Sequence, residues 1–183
     1  MRITVLALLL VVAMTVPLFA GGGQEQGADA PVPLRDGFTQ GEAAGVDLQW
    51  RVEGENITVQ MTAPTTGWVA VGFDPTRMMA DANMIIGYVA NGELSIADDY
   101  GTGNTVHGRD TDNGGTDNII EAEGTEENGR TKITFTIPLD SGDVTDRPLA
   151  VSESYKVIVA YGPDGEDNFD AYHAARGSLE MEL

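Results

Sequence analysis

TKITFTIPL, residues 131–139, alternates strictly, with Ile133, Phe135 and Ile137 on one face and Lys132, Thr134 and Thr136 on the other. A period of two, carried by β-branched and aromatic residues, reads as a strand with one face buried and the other turned out. Outward from it the same texture recurs in short runs: VDLQWRV (46–52), NITVQMTA (56–63), GWVAVGF (67–73), NMIIGYV (83–89), LSIADDY (94–100), YKVIVAYG (155–162) and a last strand in SLEMEL (178–183). Gly, Asn, Asp and Pro punctuate them, with Asn-Gly turn signals at Asn91-Gly92 and Asn128-Gly129. No stretch carries a helical stripe longer than two turns, and there is no internal repeat. The expectation is an all-β, mostly antiparallel β-sandwich of the immunoglobulin-like kind.

The N-terminal twenty residues, MRITVLALLLVVAMTVPLFA, hold one basic residue, a long apolar run and small residues near the end. That pattern implies an export signal over 1–20, with an uncleaved membrane anchor as the alternative. GGGQEQGADAPVPLRDG (21–37) has little to bury and reads as a flexible linker over 21–36, ahead of one domain at 37–183. About 150 ordered residues suffice for a single core. The expected location is secreted or periplasmic.

The chain has no cysteine. It therefore has no lipid-acylated N-terminal Cys, no disulfide, no Cys-based zinc site and no thioether-linked haem. Taking away Arg2 with the signal leaves 9 basic residues against 29 acidic, a net charge of −20. Such a surface repels nucleic acid and anionic lipid, and as a docking surface it would suit a basic protein.

Met78 and Met79 stand side by side in a loop otherwise built mainly from Asp, Pro, Thr, Arg and Asn. Two thioethers there either plug the end of the sandwich or serve as ligands. In extended backbone, neighbours point to opposite sides, so one would face a pocket while the other packs beneath.

The order Gly67-Trp68-Val69-Ala70-Val71-Gly72-Phe73, a Met-bearing loop, then Ala82-Asn83-Met84-Ile85-Ile86-Gly87-Tyr88-Val89 resembles the DOMON family. The likeness continues through Asp98-Asp99-Tyr100, the Gly114-Gly115-Thr116-Asp117 turn, Phe135-Thr136-Ile137-Pro138-Leu139, and Ala171-Tyr172-His173-Ala174-Ala175-Arg176-Gly177-Ser178, over roughly residues 37–183. The resemblance implies a β-sandwich. Some members, such as the cytochrome domain of cellobiose dehydrogenase, hold a b-type haem between an axial Met and an axial His; others lack haem and bind sugars. Carried over, it implies Met79, three residues before Ala82, as one axial ligand, with Met78 as the alternative, and His173 as the other. Arg176 would then pair with a haem propionate or with a nearby carboxylate, and Tyr172 and Trp68 would wall the pocket, Trp68 also serving as core.

DDYGTGNTVHGRDTDNGGTDN (98–118) is rich in oxygen ligands. Asp110, Asp112 and Glu121 partly mimic an EF-hand loop, but Gly114 stands where a third oxygen should be, leaving a looser calcium site or a solvated loop. With two histidines and no cysteine no structural zinc site is expected. A copper site from His107, His173 and Met79 would need two loops to converge. No nucleophile motif is present, and no paired carboxylates stand out, so no hydrolase or other enzyme is expected. The sequence reading is an exported domain with one non-covalent haem b, held by a Met/His pair, that passes single electrons to an unidentified redox partner. The alternative is a haem-free module for a sugar or another small ligand.

Overall fold

Ile133, Phe135 and Ile137 do point one way, and what they meet is a second sheet. In the computed structural model, which describes residues 31–183, eleven strands form two antiparallel sheets. They are β1 (Thr39–Ala43), β2 (Val46–Glu53), β3 (Asn56–Ala63), β4 (Val69–Phe73), β5 (Asn83–Ala90), β6 (Glu93–Gly103), β7 (Val106–Arg109), β8 (Glu121–Glu127), β9 (Arg130–Pro138), β10 (Ser154–Tyr161) and β11 (Ala175–Glu182). One sheet has the order β1-β2-β3-β9-β8, the other β11-β10-β4-β5-β6-β7. The only helical element among the described residues is a 3-10 turn at Asp110–Asp112. The sandwich read from the alternation is therefore what the chain forms. The export signal, and the linker as far as residue 30, lie outside the described residues. The end of the linker is tied down: Gln49 accepts from Arg35 N at 2.9 Å and donates to Pro33 O at 3.0 Å.

Turn chemistry fixes the register. Asn91 and Gly92 both take positive φ (53° and 82°), as do Asn128 and Gly129 (54° and 72°), and each pair closes a two-residue hairpin, β5–β6 and β8–β9. Such turns match the strand twist only with φ > 0 at both positions, which Asn and Gly tolerate. Between the sheets, Leu48, Ile57 and Met61 of the first meet Phe73, Ile85 and Val157 of the second, all fully buried. Each such side chain contributes about 1.5–3 kcal/mol by leaving water. Trp50 donates its indole N–H to Glu182 O at 2.9 Å, tying β2 to β11 across the edge.

One buried cluster is polar. Asp98 on β6, Asp110 in the 3-10 turn and Asp146 in the loop before β10 stand together. Burial pushes Asp98 up to about 8 and Asp110 up to about 6, and raises Asp146, with neighbouring carboxylates adding to the rise. Hydrogen bonds from Asn118 N–H, the Thr145 hydroxyl and the Ser141 hydroxyl, respectively, only partly offset it.

Candidate functional site

The outer face of the six-stranded sheet is apolar, and its central positions are small. Gly72 on β4 lies between Met84 on β5 and Ile158 on β10; Ala70 lies between Ile86 and Ala160. A Cβ at Gly72 would stand 2.9 Å from Ile158 Cγ1, so glycine there both deepens the trough and admits its neighbours. Residues 163–174 fold over one side. Glu166 O accepts from Trp68 N at 3.3 Å, Tyr161 O accepts from Ala174 N at 2.7 Å, and Phe169 packs on Tyr88 with ring centroids 5.1 Å apart. A cavity of about 610 Å³ remains between sheet and loops. That is the size of a small-molecule or cofactor pocket.

The loop between β4 and β5 forms a second wall. Its backbone is not extended: Met78 has φ 54° and Asp81 φ 63°, within a turn in which Ala80 O accepts from Thr76 N and Arg77 O from Ala80 N, both at 2.9 Å. Met78 is 41% exposed and lines the cavity together with half-buried Met79. The expectation that one methionine packs beneath the other therefore fails, because the positive φ turns the chain instead of alternating it. Hydrogen bonds press this turn onto the β6–β7 hairpin: Met79 N donates to Asn104 O at 3.4 Å, Asp81 N to Gly101 O at 2.8 Å, and Tyr100 OH to the Asp81 carboxylate at 2.9 Å. Within the turn the same carboxylate accepts from Thr76 Oγ1 at 2.5 Å. Those two side-chain bonds hold Asp81 below the usual carboxylate range, and the bond to Asp81 raises Tyr100. Gly101 is what allows the approach, since a Cβ there would lie 1.7 Å from Met79 O.

All six residues singled out from the sequence line this one cavity: Trp68, Met78, Met79, Tyr172, His173 and Arg176. Their situations differ. Trp68 is 6% exposed and belongs to a small cluster with Ala70, Ile86 and Ala97, so it is both wall and core. Tyr172 is 79% exposed and sits at the rim, its ring 4.3 Å from the half-buried His173 ring. Asn168 Oδ1 shapes this segment by accepting from Asp170 N (3.0 Å) and Ala171 N (2.8 Å). Arg176, exposed on β11 opposite Ala160, makes no ion pair among the described residues.

The sequence reading missed three contributors. Lys156 and Phe169 line the cavity, and Gly101 seats the methionine loop. His107 stands in an acidic stretch of sequence, yet the β6–β7 hairpin brings it to the same wall, where its Nδ1 lies 2.6 Å from Asp99 Oδ2. His107, His173 and Met79 thus all line one cavity, with His107 already engaged by Asp99. Only the β6–β7 pairing reveals this, and β7 is too short and polar to announce itself.

A thioether and an imidazole on the walls of one cavity with an apolar floor are donors that suit a haem iron. Two cationic side chains, Arg176 and Lys156, lie on the same cavity and suit carboxylate tails. The residues present thus fit a non-covalent haem, and the absence of cysteine rules out a thioether-linked one.

The fold is that of a two-sheet sandwich carrying a cofactor-sized pocket on the outer face of its larger sheet. The DOMON domain family profile matches residues 42–162, and the chain belongs to the DOMON family. It is 30% identical over 138 residues to DBH-like monooxygenase protein 1 of Mus musculus and of Homo sapiens, covering 74% of this chain and 22% of theirs. The chain thus spans about a fifth of the length of those relatives. Among solved structures it is similar to the cytochrome b domain of pyranose dehydrogenase from Coprinopsis cinerea (TM-score 0.59, 10% identity, 79% of this chain and 80% of that one). It is also similar to the cytochrome domain of Myriococcum thermophilum cellobiose dehydrogenase (TM-score 0.54, 9% identity, 75% and 74%). At such identity the likeness is one of fold. No helix among the described residues is long and apolar enough to cross a membrane.

Proposed function

We propose that this chain is an exported DOMON module, not itself an enzyme, that binds one b-type haem, which Met79 and His173 would hold, and that it carries single electrons. The observation that carries the reading is the meeting of Met79 and His173 on one cavity floored by Ala70, Gly72, Met84, Ile86 and Ile158. That the fold neighbours are cytochrome domains supports it. When bound, haem supplies a one-electron couple, and a Met/His ligand pair raises its potential. The chain's own residues do the rest. The floor excludes water, Gly101 holds the methionine turn in place, and Arg176 with Lys156 offers positive charge to the propionates. No nucleophile motif calls for a further chemical step. The acidic surface suits a basic redox partner.

A second reading is a haem-free binding module for a sugar. The exposed Tyr172 ring at the rim, with Asn104, Thr105 and Ser178 nearby, favours it. One experiment separates the two. Protein expressed with haem available should show a Soret band and sharpened α and β bands on reduction, and pyridine should extract the haem intact. A colourless product that also refuses added haemin overturns the haem reading and leaves the sugar one.

A further inference from the structure

Away from the cavity, three carboxylates from three segments converge. One oxygen from each of Asp98, Asp110 and Asp146 lies within 4.8 Å of the other two. Asp98 is 3% exposed and Asp110 1%, and Asp146 is half-buried. In each residue Oδ2 is already used. Asp98 Oδ2 accepts from Asn118 N at 2.7 Å, Asp110 Oδ2 from Thr145 Oγ1 at 2.7 Å, and Asp146 Oδ2 from the Ser141 hydroxyl. In each residue Oδ1 is buried and has no hydrogen-bond partner among the described residues. Buried polar atoms are nearly always partnered, and three carboxylates this close together repel one another once ionised. A cation held among them would relieve both.

We propose that Asp98, Asp110 and Asp146 are a calcium site, each presenting its orphaned Oδ1 to one shared ion. Calcium–oxygen bonds are about 2.3–2.6 Å, so two oxygens on one ion stand at most about 5 Å apart, and the 4.8 Å limit fits. The donors are all oxygen, which selects a hard cation over zinc or copper. Magnesium keeps several of its waters and demands an octahedron, whereas two of these ligands are almost wholly buried. The surrounding loops are already braced. Asp143 Oδ2 accepts from Thr116 N (2.6 Å) and Thr116 Oγ1 (2.8 Å), and Asp143 Oδ1 from Thr145 N (3.2 Å). Gly115 leaves room for Thr145, since a Cβ there would fall 2.1 Å from its Oγ1. An ion at this point ties β6, the 3-10 turn and the loop before β10 together. The site is not an EF-hand: two ligands come from the 98–118 stretch, and the third lies 36 residues beyond Asp110.

The test is calorimetric titration of EDTA-treated full-length protein with calcium chloride, followed by thermal unfolding. One ion per chain and a raised melting temperature are expected, with a much smaller response to magnesium chloride at the same concentration. Asp110→Asn and Asp146→Asn should each weaken calcium binding by at least about tenfold, no less than the loss of an outer-shell partner does. Asp117→Asn, an exposed neighbour, should bind as the wild type does. Absence of calcium binding to the wild type, or undiminished binding to the Asn variants, overturns the proposal. Should those variants fail to fold, NMR of the wild type decides. The Asn118 amide, which donates to Asp98, must shift on calcium addition, and an unmoved Asn118 resonance rejects the site.

Discussion

On the outer face of the five-stranded sheet, Thr58 and Thr136 share a hydrogen bond at 2.9 Å, Gln60 faces Thr134, and Thr62 faces Lys132. On the outer face of the six-stranded sheet the central positions are Ala70, Gly72, Met84, Ile86, Ile158 and Ala160. The first face is polar although mostly buried, and Thr62 Oγ1 there has no hydrogen-bond partner among the described residues. The second is oily and needs a cover, which residues 163–174 and the methionine turn supply only in part. The difference shows where a ligand belongs. A sheet face that stays apolar on the side away from the core is one whose partner is something other than the second sheet.

The largest expected effect tests the partition between faces. Phe135, 1% exposed between the sheets, should cost about 3–5 kcal/mol when replaced by Ala. Thr58→Ala, one hydrogen bond on the polar face, should cost about 0.5–1.5 kcal/mol. Urea unfolding of both variants checks it, and similar losses would erase the distinction between inner and outer residues of the five-stranded sheet.

Gly101→Ala comes next and bears on the apolar face alone. The new Cβ meets the Met79 carbonyl, a backbone atom, so the methionine turn must move away from β6; overpacking of this kind costs about 1–3 kcal/mol. If the turn presents an iron ligand, the variant should remain folded but lose the low-spin spectrum of the haem-loaded protein. Gly103→Ala, with nothing within 4 Å of the added atom, is the control and should change neither spectrum nor stability.

The strands that frame the site were legible because β4 and β5 break the alternation of β9. VAVGF is buried throughout, and Met84, Ile85 and Ile86 are all buried, the mark of strands covered on both faces. Strands β1, β7 and β8 were not legible. EAEGTEE is acidic, with no apolar face, and becomes a strand only by pairing with β9 at the sheet edge. Likewise the six site residues could be found from the resemblance, but not their mutual placement. Gly101 and Lys156 carry no local signal, since one matters for an atom it lacks and the other for the register of β10.

A smaller effect separates the paired methionines. Met79→Ala should abolish the low-spin spectrum and lower the potential if its sulfur is the ligand. Met78→Ala should retain both. Because Met78 is 41% exposed, its loss should also cost less than about 1 kcal/mol, well short of a buried methionine. Spectra that respond to Met78 and not to Met79 would exchange the two roles and keep the cavity.

The smallest effect is a pH dependence in the fastening of that same turn. Asp81 accepts from Thr76 and Tyr100, and these bonds depress its folded pKa below the ordinary 3.8. A depressed carboxylate contributes stability that is present above its unfolded value and disappears as pH falls through the folded one. The turn should therefore stay fastened at neutral pH and loosen only below about pH 3.8, seen as faster amide exchange at Met79 and Asp81 with the core strands still protected. The same bond raises Tyr100 above its ordinary value, so Tyr100 should ionise at higher pH than it does in Asp81→Asn. Ultraviolet titration of tyrosinate in the two proteins reads this directly. Coincident curves would mean that the Asp81–Tyr100 bond does not hold in solution, and the methionine turn would then rest on Gly101 and its backbone contacts alone.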